Sequence, residues 1–235
     1  MHASEAKALT LRVSDTETVS ALLLEPKHAR ACYVFGHGAG AGMNHSFMAD
    51  FAAGLAVREV ATLRYQFSYM ERGSKRPDLP ALAQAVVRAA VAEAARQCPG
   101  LPLFAGGKSF GGRMSSQAQA RQPMPGVRGL VFVGFPLHPA GKPGVDRAEH
   151  LSKIAVPMLF LQGTRDELAE LALIGSVTDE IGSLATLELF GDADHSFHVR
   201  ARSGSNDAQV RAAMLDAFVG WMATRSAPGT PVSGS

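Results

Sequence analysis

Six short apolar runs without alternating polar residues recur along this chain, and they constrain its fold more than any other feature. They begin at positions 31, 60, 101, 129, 157 and 186 and read ACYVF, VATLRY, LPLFA, GLVFV, PMLFL and TLELF. Strands that are apolar at nearly every position are typical of parallel sheets with both faces covered. The runs therefore predict a central sheet of parallel strands.

Segments with helical periodicity lie between these runs. Apolar residues recur every three or four positions within 47–55, 79–90, 171–181 and 210–221. Asp78 stands where it could cap the second of these helices, which should end at the Cys98-Pro99-Gly100 sequence. Strands that alternate with helices in this way imply an α/β fold with a doubly wound, mostly parallel sheet.

The two ends of the chain have different patterns. Residues 9–13 alternate between apolar and polar, and a second apolar run, VSALLLE, follows the polar SDTET. This pair predicts an antiparallel N-terminal hairpin at one edge of the sheet. A chain of 235 residues with 46% hydrophobic content can bury one core, so we expect a single domain over 1–224. The small, polar and Pro/Gly-rich residues 225–235 predict a disordered tail.

Charge and cysteine content exclude some functions. With 23 Lys and Arg against 21 Asp and Glu, there is no electrostatic reason to expect binding to nucleic acid or to an anionic membrane. Cys32 and Cys98 are the only cysteines, which favours a reduced, cytoplasmic protein without a disulfide. Neither a signal peptide nor an apolar run of about 18 residues is found, so we expect a soluble protein.

A possible nucleophile follows the third apolar run. There GGKSFGG places Ser109 in a G-x-S-x-G pattern, after a strand and before a helix-compatible segment. This is the nucleophile elbow, in which glycines permit a strained serine and close packing of strand and helix. A P-loop would need glycine at position 102, where Pro102 stands. A tight strand-to-helix turn without catalytic function remains the simpler alternative.

A serine hydroxyl needs a base, and the base needs a third group to orient it. Asp166 follows the fifth run at a turn, and His195 follows the sixth run in GDADHSFH, so the order is serine, acid, histidine. His198 is an alternative base that lies further from its strand. Asp192 and Asp194 flank His195 too closely to orient its ring, and we expect them to shape the turn.

Two backbone amides should stabilise the negative charge on the attacked oxygen. Phe110 follows the serine and provides one. The glycine-rich FGHGAGAGMNH after the first run provides the other, with Ala39 as the best candidate. A nucleotide-binding loop would need G-x-G-x-x-G, which these glycines do not form. His37 and His138 also follow strands, but no H-x-x-x-H pair accompanies them, so we expect neither a metal nor a cofactor.

With these motifs, the chain resembles the small, lidless α/β-hydrolases. The similarity is to dienelactone-hydrolase-like proteins and to a group typified by testis-expressed and chromatin-complex homologues. It rests on FGHGAGAG, GGKSFGGR, LQGTRDEL and DADHSF and extends over nearly the whole chain. The resemblance implies the α/β-hydrolase fold and the catalytic roles given above. Dienelactone hydrolases proper use a cysteine nucleophile where Ser109 stands, so their substrate is not transferred. Some relatives serve as scaffolds, which keeps a catalytically silent interaction module as the alternative.

The expected function is therefore a carboxylesterase-like serine hydrolase that forms an acyl-enzyme with a small-molecule ester or thioester. Tyr69, Met70 and His138 are candidates for the substrate pocket from their positions alone, and the loop over 137–145 should border it. A basic loop could attract an acidic acyl group, although such residues are more often simply solvated; it contains Arg72, Lys75 and Arg76.

Overall fold

A computed structural model describes residues 5–226, which fold around one eight-stranded sheet. The strands are β1 Lys7–Arg12, β2 Thr18–Leu24, β3 Ala31–Gly36, β4 Val60–Tyr65, β5 Leu103–Lys108, β6 Val127–Val133, β7 Met158–Gly163 and β8 Ala185–Phe190. Their order is β1-β2-β4-β3-β5-β6-β7-β8. Strands β3 to β8 are parallel, whereas β1 pairs antiparallel with β2, and β2 pairs antiparallel with β4. The predicted sheet, with its antiparallel hairpin at one edge, is confirmed.

Helices cover both faces of this sheet. They are α1 Ser46–Val57, α2 Ser68–Glu71, α3 Pro80–Gln97, α4 Phe110–Arg121, α5 Leu171–Ile181 and α6 Asp207–Ser226. Helix α6 continues two residues into the segment predicted to be a tail, and residues 1–4 and 227–235 lie outside the described part of the chain. Within residues 5–226, no helix combines the length and hydropathy needed to cross a membrane.

The apolar runs of β3 to β7 lack alternation because both faces of these strands are buried, whereas the edge strand β8 is only partly buried, with Glu188 and Leu189 exposed. In β3, Cys32 and Val34 pack into the core that includes α3 and α4. The intervening Tyr33 and Phe35 pack into a second core that includes α1 and α6. Successive side chains of a strand point to opposite faces, so every position must be apolar when each face has its own core.

The order in which successive strands are added to the sheet changes side at β3. β4 lies on one side of β3 and β5 on the other, so the loops after β3 and β5 diverge at this point and leave a crevice. Helix α4 approaches β3 very closely here. A Cβ atom at Gly107 or Gly111 would lie 2.4 or 2.3 Å from the carbonyl oxygen of Gly36, so both positions require glycine.

One predicted helix cap is wrong. The N-cap of α3 is Leu79, without a side-chain cap, and Pro80 occupies the first turn. The carboxylate of Asp78 instead accepts hydrogen bonds from the backbone N–H of Tyr69 at 2.9 Å and from the guanidinium of Arg72 at 2.7 Å. Proline at the start of the helix has no N–H, so one of the unpaired donors of the first turn is absent. Asp78 lies one residue before the cap position and fixes α2 to the start of α3 instead.

Candidate active site

Ser109 lies at the turn between β5 and α4 in a strained backbone conformation. Its φ and ψ are 48° and −110°, a region that L-residues rarely occupy and that costs about 1–3 kcal/mol. The backbone N–H of Ser109 donates to the carbonyl of Val133 at 3.1 Å, which ties the turn to the end of β6. This geometry raises the hydroxyl of Ser109 above the edge of the sheet.

Ser109, His195 and Asp166 form one hydrogen-bonded chain. The Oγ of Ser109 lies 2.9 Å from Nε2 of His195, and Nδ1 of His195 lies 2.7 Å from Oδ2 of Asp166. Because a carboxylate can only accept, Nδ1 carries the proton and Nε2 is left to accept from the serine hydroxyl. The side chain of His195 is 24% exposed and that of Asp166 is fully buried, so only the imidazole is accessible from the crevice.

The carboxylate of Asp166 is held by two further donors. Nε2 of Gln162 donates to Oδ2 at 2.6 Å, and the backbone N–H of Leu168 donates to Oδ1 at 2.8 Å. The Oε1 of Gln162 in turn accepts from the backbone N–H of Phe135 at 2.9 Å. The sequence analysis missed Gln162, although a polar residue at the end of the apolar run PMLFLQ was a signal for it.

The alternative residues around His195 have other contacts. Nδ1 of His198 pairs with Oδ2 of Asp207 at 2.6 Å, and its side chain is 67% exposed. Oδ1 of Asp194 accepts from the backbone N–H groups of Ser196 and His198, so it shapes the turn as predicted. The structure thus brings His195, and not His198, to the serine.

The loop after β3 is fixed from below by His37 and Tyr69. The backbone N–H of Phe67 donates to Nε2 of His37 at 3.1 Å, so Nδ1 of His37 carries the proton and donates to the carbonyl of Gly38 at 2.7 Å. Burial lowers the pKa of His37 to about 4, so the ring is neutral at pH 7. The hydroxyl of Tyr69 accepts from the backbone N–H of Gly40 at 2.9 Å.

The two candidate oxyanion donors lie on either side of Ser109. Phe110 is the first residue of α4, where a backbone N–H has no partner within the helix. Ala39 is exposed at the tip of the loop after β3. A Cβ at the neighbouring Gly38 would lie 3.9 Å from Cβ of Ser109, so this loop passes next to the serine.

A cavity of about 410 Å³ opens beside Ser109, between the loop after β3, the start of α1 and the His195 loop. Its apolar wall combines small and large side chains, while His45, Lys108 and Ser196 add polar groups. The apolar lining residues are Ala39, Ala41, Phe47, Met48 and Leu168. The cavity has room for an apolar group of a bound small molecule, next to a bond that lies at Ser109.

The three pocket candidates from the sequence are not among the residues that line this cavity. Tyr69 and His138 are buried, and Tyr69 supports the loop after β3 from below. Met70 packs against the core beneath that loop. The segment over 137–145 contributes indirectly, since the backbone N–H groups of Leu137 and His138 donate to the carbonyl of Leu168.

The basic loop after α2 also lies outside the lining of the cavity. The guanidinium of Arg72 is paired with Glu17 at 3.1 Å and with Asp78 at 2.7 Å, and Arg76 is exposed. The guanidinium of Arg72 is therefore paired within the protein, which favours a structural role over binding an acidic acyl group. Over residues 5–226, the structure contains no group of three or more His, Cys, Asp or Glu side chains arranged to hold a metal ion. Cys32 and Cys98 are both free and buried.

Comparisons with known proteins agree with this architecture. A family model described as an alpha/beta hydrolase domain matches residues 29–223. The structure is similar to a dienelactone hydrolase from Anabaena variabilis, with a TM-score of 0.76 and 19% identity over 95% of this chain and 99% of that one. It is also similar to an α/β serine hydrolase without lid from Xanthomonas campestris, with a TM-score of 0.72 and 20% identity over 97% and 98% of the two chains. At these identities, the structural matches bear on the fold.

Proposed function

The chain belongs to the α/β-hydrolase family, and from that premise we propose that it is a serine hydrolase that cleaves a carboxylic ester or thioester through an acyl-enzyme on Ser109. The observation that carries this proposal is the continuous hydrogen-bonded chain from Ser109 through His195 to Asp166. These three groups are a nucleophile, a base and an orienting carboxylate at bonding distance, and a tight turn without catalytic function needs none of them.

In the acylation step, Oγ of Ser109 attacks the substrate carbonyl carbon while Nε2 of His195 takes the hydroxyl proton. The carbonyl π electrons move to the oxygen, and the backbone N–H groups of Ala39 and Phe110 bind the resulting oxyanion. When the carbonyl re-forms, the bond to the leaving group breaks, and His195 gives its proton to the departing alkoxide or thiolate. The buried Asp166 keeps a proton on Nδ1 throughout, and its carboxylate stabilises the imidazolium that forms when Nε2 takes the second proton.

In the deacylation step, a water molecule repeats this sequence on the acyl-enzyme. His195 takes one proton from the water as its oxygen attacks the acyl carbon, and it returns that proton to Oγ of Ser109 when the acid leaves. All proton transfers take place at Nε2 of His195, and no metal or organic cofactor is needed. Peptide and lactone bonds could use the same groups. The cavity of about 410 Å³ beside Ser109 lies within the size range of small-molecule sites, which supports a small-molecule substrate for the proposed ester or thioester cleavage.

The test is covalent labelling with a fluorophosphonate, which reacts with activated serines, followed by turnover of p-nitrophenyl esters of increasing chain length. We expect the native protein to be labelled at Ser109 and to lose labelling and turnover in Ser109→Ala. The matched control is Ser152→Ala, because Ser152 is exposed and donates only to the carbonyl of Glu149. If folded native protein and Ser109→Ala gave the same background signal, the proposal would fail and the alternative of a hydrolase-fold interaction module would be supported.

A further inference from the structure

Lys108, the second residue of the G-x-S-x-G pattern, lies next to Ser109 and lines the same cavity. The methylene stem of Lys108 lies under the loop after β3, where a Cβ at Gly38 would be 3.6 Å from Cγ of the lysine. Its ammonium group reaches the other side of the site and donates to the backbone carbonyl of His195. The side chain of Lys108 thus lies next to the loop after β3 and binds the loop that carries His195. Its backbone directly precedes Ser109.

The loop that carries His195 has a backbone that needs such a restraint. Asp192 and Phe197 in this loop have φ values of 56° and 61°, in the left-handed region. Aspartate tolerates this conformation, whereas a phenylalanine there is strained by about 1–3 kcal/mol. The surroundings must therefore hold the loop in place.

Lys108 makes two contacts with that loop. Besides the bond to the His195 carbonyl, its ammonium lies 5.4 Å from the ring centroid of Phe197, within the range of a cation–π interaction. Gly134 leaves the space for this arrangement, because a Cβ there would lie 3.0 Å from Nζ of Lys108 and 3.5 Å from Nδ1 of His195. The ammonium and the imidazole are thus neighbours across one glycine.

We propose that Lys108 is a positioning residue for the general base, and that its charged form holds His195 at the distance from Ser109 that proton transfer needs. This inference rests on the proposed function. It gives a role to the residue between Gly107 and Ser109, which the G-x-S-x-G pattern leaves unspecified.

The charge of Lys108 gives this role a pH dependence. Burial lowers the pKa of Lys108 to about 8, and the facing carboxylates of Asp166 and Asp194 oppose this shift. Hydrogen bonds from an ionised donor are about twice as strong as those from a neutral one. The restraint on His195 should therefore be nearly complete at about pH 7 and below, and it should weaken as the pH rises through about 8 and the ammonium loses its proton.

The experiment measures fluorophosphonate labelling, resolved into the maximal rate and the half-saturating concentration, from pH 6 to 9.5. The variants are Lys108→Met, which removes the donor, and Lys108→Arg, whose guanidinium stays charged. We expect Lys108→Met to lower the maximal rate about 100-fold, as small misplacements of catalytic groups do, with a half-saturating concentration within about threefold of native. The maximal labelling rate of Lys108→Arg should stay within about tenfold of the native rate. Unlike the native rate, it should not decline near pH 8. The control is Lys27→Met at an exposed lysine of the β2–β3 loop.

A second readout does not depend on reactivity. Amide hydrogen exchange of residues 192–199 should be faster in Lys108→Met than in the native protein and unchanged in the control. Native labelling and exchange in Lys108→Met would overturn the proposal. A labelling rate that still declines near pH 8 in Lys108→Arg would also overturn it. This measurement decides the question if Lys108→Met does not fold. If the native protein were not labelled at all, the proposed function would be refuted instead. The experiment therefore distinguishes failure of the Lys108 proposal from failure of the proposed function.

Discussion

The amide of Gln162 connects the acid of the site to the backbone of the turn after β6. The side chain is fully buried, donates to Asp166 and accepts from the backbone N–H of Phe135. One side of this amide fixes the carboxylate that orients His195, and the other satisfies a buried donor that would otherwise be unpaired. Gln162 therefore affects both the stability of the fold and the alignment of the site.

We predict that Gln162→Leu lowers both stability and activity. Loss of the acceptor for Phe135 should reduce the free energy of unfolding by about 1–3 kcal/mol, and loss of the bond to Asp166 should lower the maximal labelling rate about tenfold. The control is Gln119→Leu in α4, because Gln119 is also buried and accepts from the backbone N–H of Met124 at 2.9 Å. Urea unfolding should show a similar decrease in the free energy of unfolding in both variants. The labelling kinetics should change only in Gln162→Leu. Equal rates in the two variants would contradict this role for Gln162.

The sequence placed some residues of the candidate site near one another and missed others, for a physical reason. Ser109, Asp166 and His195 each follow an apolar run, and parallel strands bring their carboxyl ends to one edge of the sheet, so position along the chain was sufficient. The sequence analysis did not name Gln162 or Lys108, and it placed Tyr69 in the pocket instead of beneath the loop after β3. The hydrogen-bond partners of Gln162, Lys108 and Tyr69 lie 27, 87 and 29 residues away in the chain. The polar end of PMLFLQ marks Gln162 as unusual, but these pairings depend on side-chain direction in the folded core, and the local pattern does not identify the partner.

Helix α4 and strand β3 pack at a distance that only glycine allows. A Cβ at Gly111 of α4 would lie 2.3 Å from the carbonyl oxygen of Gly36 in β3, so α4 cannot accept a side chain there without separating from β3. A Cβ at Gly107 of the adjacent β5 would lie 2.4 Å from the same oxygen. Because α4 begins immediately after Ser109, this separation would also move the proposed nucleophile and the N–H of Phe110. The glycines of the elbow therefore set the position of the helix as well as the conformation of the serine.

We predict opposite effects of alanine at two helical glycines. Gly111→Ala places a Cβ 2.3 Å from the Gly36 oxygen and should lower the free energy of unfolding by about 3 kcal/mol or more. Gly175→Ala lies within α5, where a Cβ has no heavy atom within 4 Å, and should raise it by about 0.5–1 kcal/mol through helix propensity. At about 2–4 °C for each kcal/mol, thermal unfolding separates the two variants. Destabilisation by Gly175→Ala would show that helix propensity does not decide the outcome at that position.

At the level of elements, the strands were more predictable than the short helices. The six parallel strands and the hairpin follow the apolar runs because burial on both faces, or on one, leaves a direct record in the residue pattern. Helix α2, Ser68–Glu71, has too few residues for any periodicity. Its position depends on the contact between Asp78 and the N–H of Tyr69, which the sequence had assigned to a helix cap. A carboxylate near two helix starts can satisfy either, and only tertiary packing decides between them.

The whole molecule brings the site together from four loops that are distant in the chain. The loops after β3, β5, β7 and β8 carry Ala39, Ser109, Asp166 and His195, and each leaves the same edge of the parallel sheet. The proposed nucleophile, Ser109, and the proposed oxyanion donors, Ala39 and Phe110, follow β3 and β5, between which the strand order reverses. The geometry of the site is therefore a property of the complete sheet, and conditions that destabilise the sheet also remove the site.

Two neutral histidines should make that global stability sensitive to acid. His37 is fully buried, and burial lowers its pKa to about 4. Burial lowers the pKa of His150 to about 4 as well, with Arg113 and Lys153 adding to the shift. Between pH 6.5 and 4, the unfolded chain binds protons at both positions that the folded protein does not bind. The free energy of unfolding must therefore decrease as the pH falls through this range.

We predict that His37→Asn flattens this dependence. A lowering of the pKa from 6.5 to about 4 corresponds to about 3 kcal/mol of stability lost on acidification, and asparagine has no proton to gain. The measurement is urea unfolding at intervals from pH 4 to 7, in which the slope of the unfolding free energy against pH gives the number of protons taken up. The slope should fall by about one proton in His37→Asn, and further in the double variant with His150→Asn. A native slope in His37→Asn would mean that His37 is protonated in the folded protein, where the N–H of Phe67 could no longer donate to it.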